Sequence, residues 1–538
     1  MTGRLVGVEL GQLHGGVLVV EDAGPGTRRR APGVAGGLLR LCVLIEELAA
    51  ATHPTIVVER QAGVQFLAGA AQPAHYCLTV SPTGATGALS PMDGRYASQA
   101  EPYARAFSEE ALFRQRFRVE VEWLRTLSHH PGLGELPPLA ADVDRRLGAW
   151  VEGFGPEDVA RIKEVERRTN HDVKAVEYYL KERLAGIGFD AGQAEFVHFA
   201  CTSEDINNLS HALMLKEGLE RAWLPQAEAL AAEVWALALE HKDLPMPSHT
   251  HGQPASPTTL GKELAVFAAR WDRQVAHLRA TRLLGKFNGA VGTFAAHAVA
   301  YPDVDWPALS RTFVEGFGLA WNPLTTQIES HDALAEVFHA LARFNAILLD
   351  FCRDMWEYIS RSYLRQRAVA GEVGSSTMPH KVNPIDFENA EANAGISSAL
   401  LEHLASKLMV SRMQRDLSDS SAIRNMGVAV GHSGLALASA RKGLSKVRPA
   451  PEVMAAELDA QWEVLAEPVQ TVMRRFGLPE PYERLKELTR GQAVSADDVR
   501  DFVKGLGLPA DAERRLMKLV PAGYTGLAAE LVERHRPA

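Results

Sequence analysis

H-D-A-L-A-E-V-F-H-A-L-A-R-F-N-A-I-L-L-D-F-C-R-D-M-W-E-Y-I-S-R-S-Y-L-R-Q-R-A-V-A, His331 to Ala370, is a run of forty residues free of glycine and proline. With no breaker inside it, the run predicts one helix about 60 Å long at about 1.5 Å per residue. Leu334, Val337, Leu341, Phe344, Leu348, Phe351, Met355 and Tyr358 alternate by three and four, the spacing of a seam that needs partner helices. Phe338, Ile347, Cys352 and Ile359 widen that seam to the stripe that a multi-helix bundle buries. Strand-type alternation is nearly absent after residue 90, so an all-α, long-helix bundle is expected.

The run leads into Gly371–Asn393, G-E-V-G-S-S-T-M-P-H-K-V-N-P-I-D-F-E-N-A-E-A-N. Gly371 and Gly374 loosen the backbone and Pro379 and Pro384 forbid helix, so the stretch reads as a mobile loop feeding a helix from about Glu388 to Met409. Ser375, Ser376, Thr377, His380, Lys381 and Asn383 place hydroxyls, an imidazole, an ammonium and a carboxamide within nine residues. That is donor chemistry for a carboxylate or a developing oxyanion.

At 538 residues the chain is long enough for two to four domains. Hydrophobic residues make up 46% and charged residues 23%, with a net charge of −9, a profile that disfavours a nucleic-acid polymer as partner. Cys42, Cys77, Cys201 and Cys352 are scattered with no C-x-x-C pair, which indicates neither a disulfide framework nor a zinc knuckle and suits a reducing cytoplasm. No membrane span and no targeting segment is expected.

Residues 1–88 differ from the rest, with short alternating runs at Gly16–Val20 and Pro54–Val58, one weak helix at Leu38–Ala50, and a linker composition from Ser81 to Pro91. Three readings stay open for this extension: a small α/β appendage, a disordered tail, or translated sequence upstream of the real start. Three regions are expected after it: an N-terminal helical domain over 89–197, the long-helix bundle over 198–444, and a small helical domain over 445–538.

S-P-M-D-G-R-Y, Ser90 to Tyr96, is a turn carrying Arg95 and Tyr96, and Ser108 is placed to N-cap a helix that buries Phe113, Phe117, Val121, Trp123 and Leu124. Glu164–Leu180 reads as one helix containing T-N-H-D, with Asn170, His171 and Asp172 in sequence. In H-F-A-C-T-S-E-D-I-N-N-L-S-H, Thr202 and Ser203 mark a helix start whose free N–H groups suit an anion. Helices are expected at 225–243 and Leu260–Gly285. Between them, S-H-T-H-G-Q-P sets His249 and His251 two apart among prolines, with no strand pattern before the pair and hence no signature of a metal site. Arg415, Ser420 and Arg424 gather near another helix start and suit a phosphate.

Together these motifs resemble the fumarase, aspartase and argininosuccinate lyase superfamily, whose shared pattern G-S-S-x-M-P-x-K-x-N-P is met at 374–384. His380 and the following I-D-F-E-N narrow the resemblance to its adenylosuccinate lyase branch, covering roughly Ala88 to the C-terminus. The resemblance implies a homotetramer of long-helix bundles with shared active sites that acts on purine nucleotides. The implied reaction is cleavage of a succinyl-amino C–N bond to release fumarate, from adenylosuccinate and from the succinylated aminoimidazole carboxamide ribotide. It implies Ser375 as base, His251 as general acid and Glu388 as the carboxylate that orients His251. Arg95, Tyr96, Asn170, His171, Asp172, Thr202, Ser203, Gln327, Ser376, Lys381, Asn383, Arg415, Ser420 and Arg424 would contact substrate. At His249 the chain departs from relatives that commonly carry arginine. No metal and no redox cofactor is implied, because the leaving group and the carboxylate electron sink both belong to the substrate. Competing readings are another fumarate-releasing lyase such as argininosuccinate lyase, a non-enzymatic relative, and a metal hydrolase built on His249 and His251.

Overall fold

The computed structural model describes residues 9–10, 20–21, 89–367, 377–378, 380–490 and 494–537. The chain divides into two units, 1–82 and 83–538. In the first, Glu9–Leu10 pairs antiparallel with Val20–Glu21. The expected helix at Leu38–Ala50 and most of the expected short runs lie outside the described residues.

In the second unit five long helical segments build the bundle: Ser203–Glu240, Leu260–Ala280, Asp332–Ser360, Ile385–Leu408 and Met426–Leu444. The first is a continuous rod of about 57 Å, in which helix Ser203–Gly218 passes through a π-helical turn, Leu219–Trp223, into helix Leu224–Glu240. Pro225 explains the turn. Proline lacks the N–H and crowds the carbonyl one turn back, and widening the helix locally accommodates both effects without ending it.

The run His331–Ala370 is not one 60 Å helix. Its helix spans Asp332–Ser360, about 44 Å, and closes on a Schellman motif. Ser362 takes φ +62°, the Ser362 N–H donates to Ile359 O at 3.0 Å, and the Tyr363 N–H donates to Tyr358 O at 2.9 Å. Leu364–Gln366 then pairs antiparallel with Val447–Pro449. A serine stands where glycine usually does, so composition hid the stop. The same holds at 164–180, where Asn170 at φ +49° ends helix Pro156–Thr169 and His171 N-caps Asp172–Gly186.

The seam residues Leu334, Val337, Leu341, Phe344, Leu348, Phe351 and Met355 are all buried, as are Phe338, Ile347 and Cys352. At the centre Trp271 stacks on Phe344 at 5.7 Å and Trp223 meets the same ring edge-on at 4.8 Å. A buried polar chain sets helix register here: Trp223 Nε1 donates to Ser433 Oγ at 2.8 Å, and Ser433 Oγ to Asn345 Oδ1 at 2.7 Å. Asn345 Nδ2 then donates to Ser397 Oγ at 2.9 Å. Gly434 is needed for contact, since a Cβ there would lie 2.1 Å from the buried Tyr103 ring.

A second core forms around Phe113, Phe117, Trp123 and Leu124, with Ser108 capping their helix by accepting from the Ala111 N–H at 3.2 Å. Leu209, Phe287, Trp306 and Phe313 join this core from later in the chain, so it packs on the first turns of the 203–240 rod. A third core, with Leu465, Met473, Val503 and Leu516, unites short helices between Ala466 and Met517. The last helix, Ala528–His535, returns to the bundle and buries Val532 there.

Candidate active site

The sharpest local feature is the start of the 203–240 rod. The Thr202 N–H donates to Asp205 Oδ2 at 2.8 Å, and Asp205 Oδ1 accepts from the Asn288 N–H at 3.0 Å and from Lys286 Nζ at 2.8 Å. Both charged side chains are fully buried. Lys286 Nζ spends its other hydrogens on Gly289 O at 3.0 Å and Gln327 O at 2.9 Å. One ammonium therefore ties Thr202 and Ser203 to Gln327, across more than a hundred residues of chain. The helix start, half-buried at Thr202 and Ser203, is thereby held in place.

A chain of charges runs beside it. Asp172 Oδ2 takes Arg424 Nη2 at 2.8 Å and Arg116 Nη2 at 2.9 Å. Arg116 Nε donates to Asn207 Oδ1 at 2.9 Å, and Asn207 Nδ2 to Glu204 Oε1 at 2.8 Å. Glu204 Oε1 also meets Arg415 Nη2 at 3.0 Å, and Arg415 Nη1 donates to Gln327 Oε1 at 3.2 Å. Burial alone would raise the Asp172 pKa, but Arg116 and Arg424 outweigh it and hold the carboxyl well below the usual range. One turn on from Asn207, the His211 imidazole is pushed down to about 3 by burial and then by Arg116 and Arg424.

Of the residues expected to contact substrate, the fold thus joins Asp172 with Arg424 and Gln327 with Arg415, and fixes Thr202 at a shared node. His171 is exposed and caps its helix, its Nδ1 accepting from the Lys174 N–H at 3.2 Å. Asn170 is exposed beside it, and Ser420 is half-buried in the short helix Ser418–Ile423 between Arg415 and Arg424. Arg95 is exposed and lies 5.9 Å from the ring of Tyr96, whose hydroxyl accepts from Asn389 Nδ2 at 2.9 Å.

Among the described residues, His251 is joined to this group by no hydrogen bond or ion pair. It sits at the tip of an antiparallel ribbon, Pro245–Thr250 with Gln253–Thr259, where Thr250 faces Gln253 and the two-residue turn is His251-Gly252. Both turn residues have positive φ, +55° and +75°, the conformation of a type I′ hairpin turn. The expectation that no strand precedes this histidine pair is therefore corrected. A two-stranded ribbon has only edges, so its prolines remove no needed hydrogen bond and mask the strand pattern. His249, on one strand, lies 3.2 Å from Arg361 Nη1 and 3.3 Å from Glu457 Oε1. Among the described residues no group of three His, Cys, Asp or Glu side chains could hold a metal ion.

Glu388 is exposed and accepts from Trp356 Nε1 at 3.2 Å, and no hydrogen bond joins it to His251 within one chain. Lys381 is exposed and Asn383 half-buried ahead of helix Ile385–Leu408, while Ser375 and Ser376 lie outside the described residues. Arg116, Glu204, Asn207, Asp205 and Lys286 escaped the sequence reading. A signal existed for the first: Arg116 falls on the same helical stripe as Phe113, Phe117 and Leu124, where a charge is out of place.

The fold is a long-helix bundle whose 203–240 rod begins in a buried polar network, and comparison with known proteins places that bundle among the lyases. A lyase family model matches residues 94–396, and an adenylosuccinate lyase C-terminal model matches 411–525. The adenylosuccinate lyase of Escherichia coli (strain K12) is 53% identical over 83% of this chain and 98% of its own length. That of Haemophilus influenzae is 52% identical over the same shares. Among solved structures, a fumarate lyase from Mesorhizobium sp. BNC1 superposes with a TM-score of 0.65 at 21% identity, covering 81% of this chain and 97% of that one. The chain belongs to the adenylosuccinate lyase family. Its all-α bundle is the one expected from the His331–Ala370 seam.

Proposed function

We propose that the chain catalyses the cofactor-free β-elimination of fumarate from adenylosuccinate, giving AMP, and from the succinylated aminoimidazole carboxamide ribotide, giving the free carboxamide. The observation that carries this reading is 53% identity to an adenylosuccinate lyase over 98% of that enzyme's length. The arginine-rich chain through Asp172, Arg116, Glu204 and Arg415 adds chemical support, since it gathers cations of the kind that suit a phosphorylated, dicarboxylic substrate.

In this mechanism Ser375 removes the proton from the carbon beside one carboxylate. The electron pair passes into that carboxylate, giving it a second negative charge, and then forms the double bond of fumarate as the C–N bond breaks. His251 protonates the departing nitrogen. Lys381, Asn383 and the loop hydroxyls Ser376 and Thr377 stabilise the doubly charged carboxylate by the logic of an oxyanion hole. Thr202 and Ser203 receive a substrate carboxylate, Arg95, Tyr96, Arg415, Ser420 and Arg424 the phosphate end, and Asn170, His171, Asp172 and Gln327 the remainder.

Glu388 orients His251 from a neighbouring subunit of a homotetramer. Within one chain Glu388 accepts from Trp356 Nε1 at 3.2 Å. Symmetric packing of long bundles brings the ends of different copies together. The protein works in the cytoplasm, without nucleic-acid or membrane partners; among the described residues no helix is long and apolar enough to cross a membrane. The direct test is an ultraviolet assay of adenylosuccinate cleavage by purified protein, with fumarate identified as product. Absence of cleavage by a folded tetramer would overturn the reading.

A further inference from the structure

We infer that Arg116 is a positioning residue that sets the separation between two groups of substrate-facing side chains, an inference that rests on the function proposed above. Its side chain is 1% exposed, against 24% for Asp172 and 44% for Arg424, so it lies behind the site and acts through its partners. Nη2 holds Asp172 at 2.9 Å, and Nε holds Asn207 at 2.9 Å. Asn207 passes the constraint to Glu204, and Glu204 to Arg415 and thence to Gln327. Asp172 begins one helix, Asn207 and Glu204 lie in another, and Gln327 and Arg415 come from loops. Among the described residues, no other side-chain hydrogen bond or ion pair along this path joins Asp172 to the 203–240 rod.

The choice of arginine follows from its shape. A planar fork offers donors in two fixed directions and can bridge two acceptors on different helices, whereas a lysine ammonium on a flexible stem satisfies one and leaves the other's geometry loose. A buried ion pair contributes little net stability over a well-packed apolar pair, so what Arg116 supplies is geometry. The neighbouring cations Arg415 and Arg424 are partly exposed and remain available to substrate while their carboxylate partners stay fixed.

The test compares wild type with Arg116→Met, Arg116→Lys and Asn207→Ala, each checked for fold by thermal melting and gel filtration. KM for adenylosuccinate and Kd for AMP, the latter by calorimetry, are measured beside kcat. Loss of uniform binding predicts that Arg116→Met raises KM and Kd together by about tenfold or more while kcat stays within about fivefold. Arg116→Lys recovers part of that loss, and Asn207→Ala, which cuts only the Glu204 branch, falls between. A purely structural arginine would reduce the yield of active enzyme and leave KM of the surviving fraction unchanged. Folded Arg116→Met or Arg116→Lys protein with KM within about twofold of wild type overturns the inference, as does failure of all three variants to fold, which would make Arg116 a residue of stability alone. Wild-type protein that releases no fumarate overturns the functional reading itself; active wild type with unchanged variants overturns only the role of Arg116.

Discussion

Lys286→Met is the most informative single change for the architecture under the site. The methionine fits the stem but removes the ammonium from Asp205, Gly289 O and Gln327 O. Asp205 keeps the Thr202 and Asn288 N–H donors, yet it becomes a buried charge without a counter-ion, and two carbonyls lose a donor. Breaking one side of a buried pair costs about 3–5 kcal/mol. For a cooperative unit of a few hundred residues, at about 2–4 °C per kcal/mol, that lowers Tm by roughly 6–20 °C. Scanning calorimetry of Lys286→Met, Asp205→Asn and the double variant measures it. The double variant should lose less than the two singles combined, with a coupling of at least about 2 kcal/mol, because it buries no lone charge. Lys504→Met, which removes an exposed pair with Asp501, serves as control and should leave Tm unchanged. A Lys286→Met protein melting within about 2 °C of wild type would refute the claim that this ion pair pins the rod to the 286–289 turn.

Ser375→Ala and His251→Ala should each reduce kcat by about a hundredfold or more with KM little changed. Mixed and reassembled, the two inactive proteins should regain a substantial part of wild-type activity, and mixed tetramers that stay at parental activity would disprove shared sites. His211 is held neutral with a folded pKa of about 3, so its contribution to stability is complete above the unfolded value near about 6.5 and is lost as pH falls toward about 3. Between pH 7.5 and 4.5, urea unfolding should show wild type losing about 2–3 kcal/mol that His211→Gln keeps, and parallel pH profiles would contradict this. Deleting residues 1–79 should leave Tm and turnover nearly unchanged, since residues 83–538 form a unit of their own and both family models fall within it. Insoluble truncated protein would count against that independence.

Two things were legible along the chain. The three-four spacing from Leu334 to Met355 is a local pattern that only a multi-helix core can satisfy, and every one of those side chains is buried. The loop after it concentrates donors that name a class of chemistry before any fold is known. Helix ends were less legible, because Ser362 and Asn170 adopt the left-handed conformation that composition assigns to glycine, and Pro225 is absorbed by a π turn. What tertiary structure alone decided is the support of the site. Lys286 meets Asp205 across eighty-one positions and Arg116 meets Asn207 across ninety-one. A charge becomes a structural node only when folding removes its water and supplies a partner, and nothing in the neighbouring residues encodes which distant partner that will be.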